Sequence, residues 1–209
     1  MKAHLFYDFH TIGDVLLIVI DAKAKPTRVE KKDNVVALYQ DDRLIGVNIF
    51  SFSEIVKIKN AGLIILPPKQ IIDVINHMLR NAKLETLDPI DESGFKIGQV
   101  LSCEEHPDSD HLHVCKVHVG DRVLDIVCGA PNVREGMKTV VAMPGTMMFD
   151  GSEIVPSELR GVASSGMLCS PRELHLENAP QVRGLIVLDE QAPVGQDFFK
   201  YIGETKHGN

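Results

Sequence analysis

The hydrophobic and polar positions give the two halves of this chain different rhythms. In the first half, His4–Phe9, Val15–Ile20, Val35–Tyr39 and Leu44–Ile49 read as strands. The last two alternate weakly and are joined by Gln40-Asp41-Asp42-Arg43, the spacing of a hairpin with a four-residue loop. Leu63–Leu66 suggests one more strand. After Pro67-Pro68, Ile71, Val74, Ile75, Met78 and Leu79 recur at i, i+3, i+4, i+7 and i+8, with Lys69, Asp73, Asn76 and Arg80 opposite, which predicts an amphipathic helix. Pro68 suits its first turn, where the N–H it lacks would have had no helical partner.

The second half lacks a comparable helix. Short strands are predicted at Ile97–Glu104, Leu112–Val119, Val123–Val127, Thr139–Ala142 and Gly184–Leu188, separated by Gly, Pro and Asp turns. That rhythm predicts a small closed β-barrel. Between the halves, polar Leu87–Gly94 contains Pro89 and Gly94 and reads as a linker. The expected organisation is a mixed, α+β N-terminal domain over residues 1–90, followed by an all-β barrel over 91–203.

Composition narrows the function classes. The 44% hydrophobic and 24% charged content is that of a soluble globular protein. Val15–Ile20 is too short to span a bilayer and follows acidic Asp8 and Asp14, so neither a membrane segment nor a signal peptide is expected. A cytoplasmic location is expected, with Cys103, Cys115, Cys128 and Cys169 as reduced thiols. No pair of them has C-x-x-C spacing, so neither a disulfide nor a cysteine metal site is assigned. There is no P-loop, no G-x-S-x-G and no H-E-x-x-H, so no enzymatic activity and no cofactor are expected.

Charge is unevenly divided. Residues 1–91 hold 12 Lys+Arg against 12 Asp+Glu, whereas residues 92–203 hold 9 against 16. With no Trp, 3 Tyr and 8 Phe, platforms for base stacking are also scarce.

Six segments of the second half occur in a telling order. Val100–Gly120 contains His106-Pro107 and Asp110-His111-Leu112. Then come Cys128-Gly-Ala-Pro-Asn-Val-Arg134, Ala142-Met-Pro-Gly145, Leu159-Arg-Gly-Val162, Ser165-Gly-Met-Leu-Cys-Ser170 and Pro193-Val-Gly195. Together, from about Ile97 to Phe198, they resemble the tRNA-binding module near the N-terminus of the bacterial phenylalanyl-tRNA synthetase β-subunit, an EMAP-type OB fold. The chain stops where that subunit's body would continue, so it looks like the free-standing bacterial YtpR-type tRNA-binding proteins. The resemblance implies a five-stranded OB-fold barrel and tRNA binding without chemistry.

The implied contacts are Asn132, Arg134, Lys138, Arg160, Ser164 and Ser165. Gly129 and Pro131-Asn132 can shape a turn that presents backbone N–H groups to a phosphate. Arg134 and Arg160 would grip it with two prongs and Lys138 as a point charge. Ser164 and Ser165 could donate to phosphate or to a ribose 2′-OH. Simpler readings stand beside these. Gly129, Pro131 and Gly161 could serve only the turns, and Met167, Leu168 and Cys169 read as core strand. Arg134 and Arg160 could be solvated cations near Glu135 and Glu158.

The loop around His106, Asp110, His111, His113 and His118 needs separate weighing. On an extended strand His111, His113 and Cys115 share one face, which is either a metal geometry or simply the solvent side of the strand. No metal is assigned. Where the module usually has a Lys before Leu112, this chain has His111, so a permanent cation is lost; His106 is read as shaping the loop.

Phosphate neutralisation dominates nucleic-acid affinity, so an acidic barrel predicts weak tRNA binding. The alternative is an interaction module that docks on an aminoacyl-tRNA synthetase or another translation protein. Free-standing members of the wider family are often homodimers, and pairing would raise avidity.

Overall fold

The fold is described by a computed structural model covering residues 1–58 and 61–207. It is mostly β, with few helices, and divides into two compact units, Met1–Asp91 and the part from Glu92 onward.

The first unit is an antiparallel sheet of β1 (His4–Asp8), β2 (Val15–Val19), β3 (Arg28–Lys32), β4 (Val35–Gln40), β5 (Arg43–Phe50) and β6 (Ala61–Ile64). Their order across the sheet is β3-β4-β5-β2-β1-β6. One face carries Leu5, Tyr7, Leu16, Ile18, Val35, Val47 and Ile49, and forms a core with helix α1 (Lys69–Asn81). Three expectations are corrected here. The hairpin loop is Asp41-Asp42 alone, because β4 and β5 pair as far as Gln40 with Arg43. The buried positions of α1 are Ile72, Ile75 and Leu79, with Ile71 and Met78 half-buried against the same core, and Asn76 is tied to the backbone of Leu87 through its amide rather than facing water. Leu87, expected in the linker, is buried in this core.

The second unit has β7 (Phe95–Glu105), β8 (His113–His118), β9 (Val123–Cys128), β10 (Lys138–Ala142), the hairpin β11 (Ser157–Leu159) and β12 (Val162–Ser164), and β13 (Met167–Leu168). The main sheet runs β13-β10-β7-β8-β9. Its outer strands nearly meet: just before β13, the Ser165 N–H donates to the Asp125 carbonyl of β9 at 2.8 Å. Val100, Cys115, Val117, Ile126, Val141 and Leu168 fill the interior. Gly98 is required by packing, since a Cβ there would lie 2.5 Å from Val141 Cγ2 and 3.0 Å from Val117 Cγ1.

This unit is not all-β, contrary to expectation. It ends in helix α2 (Phe198–His207), within which the expected domain end at 203 falls. Asp197 caps α2: its Oδ1 accepts from the Phe199 and Lys200 N–H groups at 3.0 and 3.2 Å. Its Oδ2 accepts from the Ser93 N–H and hydroxyl at 2.6 and 2.8 Å, tying the start of the unit to its end. Gly184–Leu188, expected as a strand, contributes only a single bridge from Leu188 to Lys138.

Candidate nucleic-acid interface

Three segments converge at one end of the barrel. After β9, the chain turns through Gly129–Gly136 and rejoins the sheet, where the Gly136 N–H donates to the Val100 carbonyl at 2.8 Å. The Asn132 amide holds a distant strip of chain against this turn. Its Oδ1 accepts from the Leu185 N–H at 2.8 Å, and its Nδ2 donates to the Leu185 carbonyl at 3.0 Å. The approach is close enough that a Cβ on Gly184 would lie 3.1 Å from the amide. Beside it, the exposed Arg183 brings Nη2 to 4.0 Å from the position of a Cβ on Gly129, and Leu112 Cδ2 lies 3.2 Å from the same point. Turn, strip and the 106–112 loop therefore meet.

Arg160 reaches that loop from the β11–β12 hairpin. Arg160 and Gly161 form a two-residue turn with φ of +46° and +82°, a geometry that favours the glycine and strains the arginine. Arg160 Nη1 donates to the Asp108 carbonyl at 2.8 Å. Beneath, His106 is buried; its Nδ1 accepts from the Asp108 N–H at 3.1 Å, so Nε2 carries the proton and donates to the Leu159 carbonyl at 3.1 Å. His106 thus shapes the loop and seats the hairpin.

The predicted contact residues separate by their partners. Arg134 is exposed and its guanidinium has no hydrogen bond or ion pair among the described residues. Arg160 is exposed and keeps most of its donors available. Asn132 is committed to Leu185. Lys138 donates to the carbonyls of Glu190 and Ala192 at 2.6 and 2.8 Å. Ser164 is buried, and its hydroxyl accepts from the Val127 N–H at 3.0 Å. Ser165 is half-buried, its backbone committed to Asp125. Arg183 was not anticipated. No motif marks it; the Asn132–Leu185 clamp, together with bonds of Ile186 to Cys169 and Thr139, holds its strip at this end.

The histidine loop also differs from expectation. His111 is exposed and sits 3.3 Å from Asp110. His113, however, faces the interior with Cys115, and its Nδ1 is buried without a partner among the described residues, so its side is not the wet one. Among those residues no group of three or more His, Cys, Asp or Glu is arranged to hold a metal ion. Burial pushes the Cys169 thiol up to about 12 and also raises Cys115 and Cys128, as expected of packed thiols.

Over 196 residues, 92% of this chain and 98% of the other, the sequence is 41% identical to the Bacillus subtilis protein described as "Putative tRNA-binding protein YtpR". The chain belongs to the YtpR family. Within this YtpR-type chain, the family model "Putative tRNA binding domain" matches residues 95–197 and a domain of unknown function, DUF4479, matches 22–87. The phenylalanine–tRNA ligase β subunit of Porphyromonas gingivalis is 45% identical over 143 residues, 65% of the YtpR-type chain but 17% of the subunit. That of Mannheimia succiniciproducens is 47% identical over 111 residues, 53% and 14% respectively. The chain spans under a fifth of these ligase subunits. Among the described residues no helix is long and apolar enough to cross a membrane.

Proposed function

We propose that this protein binds tRNA without catalysing a reaction, through the end of the barrel where the Cys128–Arg134 turn meets the 106–112 loop. The observation that carries the reading is the near-full-length match to a YtpR protein. Two exposed guanidinium groups, Arg134 and Arg160, support it at the site, because such groups grip phosphate by two parallel hydrogen bonds. Arg183 joins them, and Ser165 is near enough to the surface to reach a 2′-OH. Lys138 contributes charge while anchored. Asn132 and Ser164 hold the turn and the barrel wall in shape. In this reading the barrel is an OB fold, the first unit is an α+β domain with a role of its own, and the protein works in the bacterial cytoplasm beside the translation machinery.

The test is tRNA binding at low salt by the wild type and by the double variant Arg134→Ala, Arg160→Ala. Each lost charge-assisted contact costs about 1.5–3 kcal/mol, so the double variant should bind at least tenfold more weakly. Unchanged affinity, or no saturable binding by the wild type, refutes the reading. Partners retained from RNase-treated lysate would instead favour docking on a synthetase or another translation protein, and sedimentation would test the homodimer.

A further inference from the structure

Two of the four thiols face each other across one strand pair. Cys103 of β7 and Cys115 of β8 are register partners, with their sulfur atoms 3.8 Å apart. The ladder identifies what kind of pair they form. At its end, the His106 N–H donates to the Leu112 carbonyl at 3.0 Å, which makes 106/112 a hydrogen-bonded pair. Antiparallel pairs alternate, and the register is unbroken from 105/113 to 103/115. Thus 104/114 is hydrogen-bonded and 103/115 is not. Non-hydrogen-bonded pairs bring their Cα atoms to about 4.5 Å, within the roughly 4.4–6.8 Å that a disulfide requires. Closing the sulfurs to bonding distance then needs side-chain rotation and no shift of strands.

We propose that Cys103 and Cys115 are an oxidisable dithiol that closes to a cross-strand disulfide when a hydroperoxide reaches Cys103. Their exposures set the order of events. Cys103 is half-buried at the edge of the core whereas Cys115 is fully buried, so Cys103 is the one of the two that an oxidant meets first. The Cys103 thiolate attacks the peroxide, an S–O bond forms, the O–O bond breaks, and hydroxide leaves to take up a proton. Cys115 Sγ then attacks Cys103 Sγ; the S–S bond forms, the S–O bond breaks, and the departing hydroxide accepts the Cys115 proton as water. The two thiols lose two electrons and two protons, which the peroxide takes up. Burial and the neighbouring Cys103 raise the Cys115 thiol, so it stays protonated until this second step. The bond would pin the strand ends that feed the 106–112 loop. The inference does not depend on the RNA reading.

The sequence offers a clean readout, because trypsin releases Ile97–Lys116 as one peptide holding both cysteines. The folded protein is treated with hydrogen peroxide, quenched and alkylated with N-ethylmaleimide under denaturing conditions, then digested. In the wild type this peptide should become two hydrogens lighter and refuse alkylation until dithiothreitol is added. In Cys103→Ser, Cys115 should remain alkylatable. In Cys115→Ala, Cys103 should advance to the sulfinic acid for want of a resolving thiol. If wild-type Cys103 also reaches the sulfinic acid, pairs with Cys128, or stays a thiol at every peroxide dose that leaves the protein folded, the proposal is overturned.

Discussion

Replacing Asn132 by alanine separates a clamp from a ligand contact. The Asn132 amide bonds the N–H and the carbonyl of Leu185 at 2.8 and 3.0 Å, and Leu185 is buried. The substitution leaves one buried donor and one buried acceptor without partners. Each such group costs about 1–3 kcal/mol. The neighbouring Arg183 is exposed, which lets some water reach the strip, so the loss should be about 2–4 kcal/mol rather than the full sum. With a urea slope of about 2 kcal/mol per molar, the unfolding midpoint should fall by roughly 1–2 M. Urea unfolding followed by hydrogen exchange gives the required resolution, because peptides from β9 and β10 report the barrel unit by itself. Exchange along residues 183–188 should rise even without denaturant. A barrel midpoint within about 0.3 M of wild type, together with lost tRNA affinity, would refute the clamp and make Asn132 a direct contact.

Two further outcomes follow from packing and titration. Gly98→Ala places a methyl group 2.5 Å from Val141 Cγ2, and overpacking of this kind should destabilise the barrel by about 1–3 kcal/mol, read as a lower urea midpoint. Asp14 accepts hydrogen bonds from the Ser53 N–H, the Ser53 hydroxyl and the Tyr7 hydroxyl at 2.8, 2.8 and 3.0 Å. Burial pushes its carboxyl upward, but these bonds outweigh it and hold the group below 3.8. A depressed carboxylate stabilises the fold above its unfolded pKa and loses that contribution as pH falls through the folded one. The first unit should therefore lose stability below about pH 4, and Asp14→Asn should flatten this acid limb of the unfolding profile.

Much of the framework was legible because local pattern and tertiary packing agree. The strands from β7 to β10 were read nearly to their ends, and the α1 periodicity was visible although Ile72 replaces Val74 in the buried stripe. Strand β3 was not legible. All five of its residues, Arg28–Lys32, are exposed, so no alternation marks it, and its charges suit the sheet edge it occupies. Helix α2 depends on the Asp197 cap and on Phe198 and Phe199 packing near Phe95, contacts that periodicity does not encode. The site was hardest for the same reason. Lys138, Ser164 and Asn132 have the residue types of RNA contacts, yet each is held by the backbone of a segment 37 to 54 residues away. Backbone partners carry no sequence signature, so residue type alone cannot separate a contact from a clamp.

Charge and geometry together set an unusual salt response. The barrel segment carries 9 cationic against 16 anionic side chains, and its cations are only partly available. Lys116 is paired with Asp125 at 2.9 Å, Lys138 is anchored to two carbonyls, and Arg160 shares a donor with Asp108. Two or three phosphate contacts remain for Arg134, Arg160 and Arg183, which by counterion release gives a log–log salt slope of about −1.4 to −2.7. The surplus carboxylates act in the opposite direction. They repel the polyanion over a range set by the Debye length, about 30 Å at 0.01 M salt but about 10 Å at 0.1 M. Added salt therefore screens that repulsion at the same time as it weakens the contacts. Affinity should be nearly flat at the lowest salt and take on the contact-limited slope only near 0.1 M and above. A steep, uniform slope from the lowest salt would mean that more cations reach the phosphates than these three, and that the carboxylates lie away from the path of the RNA.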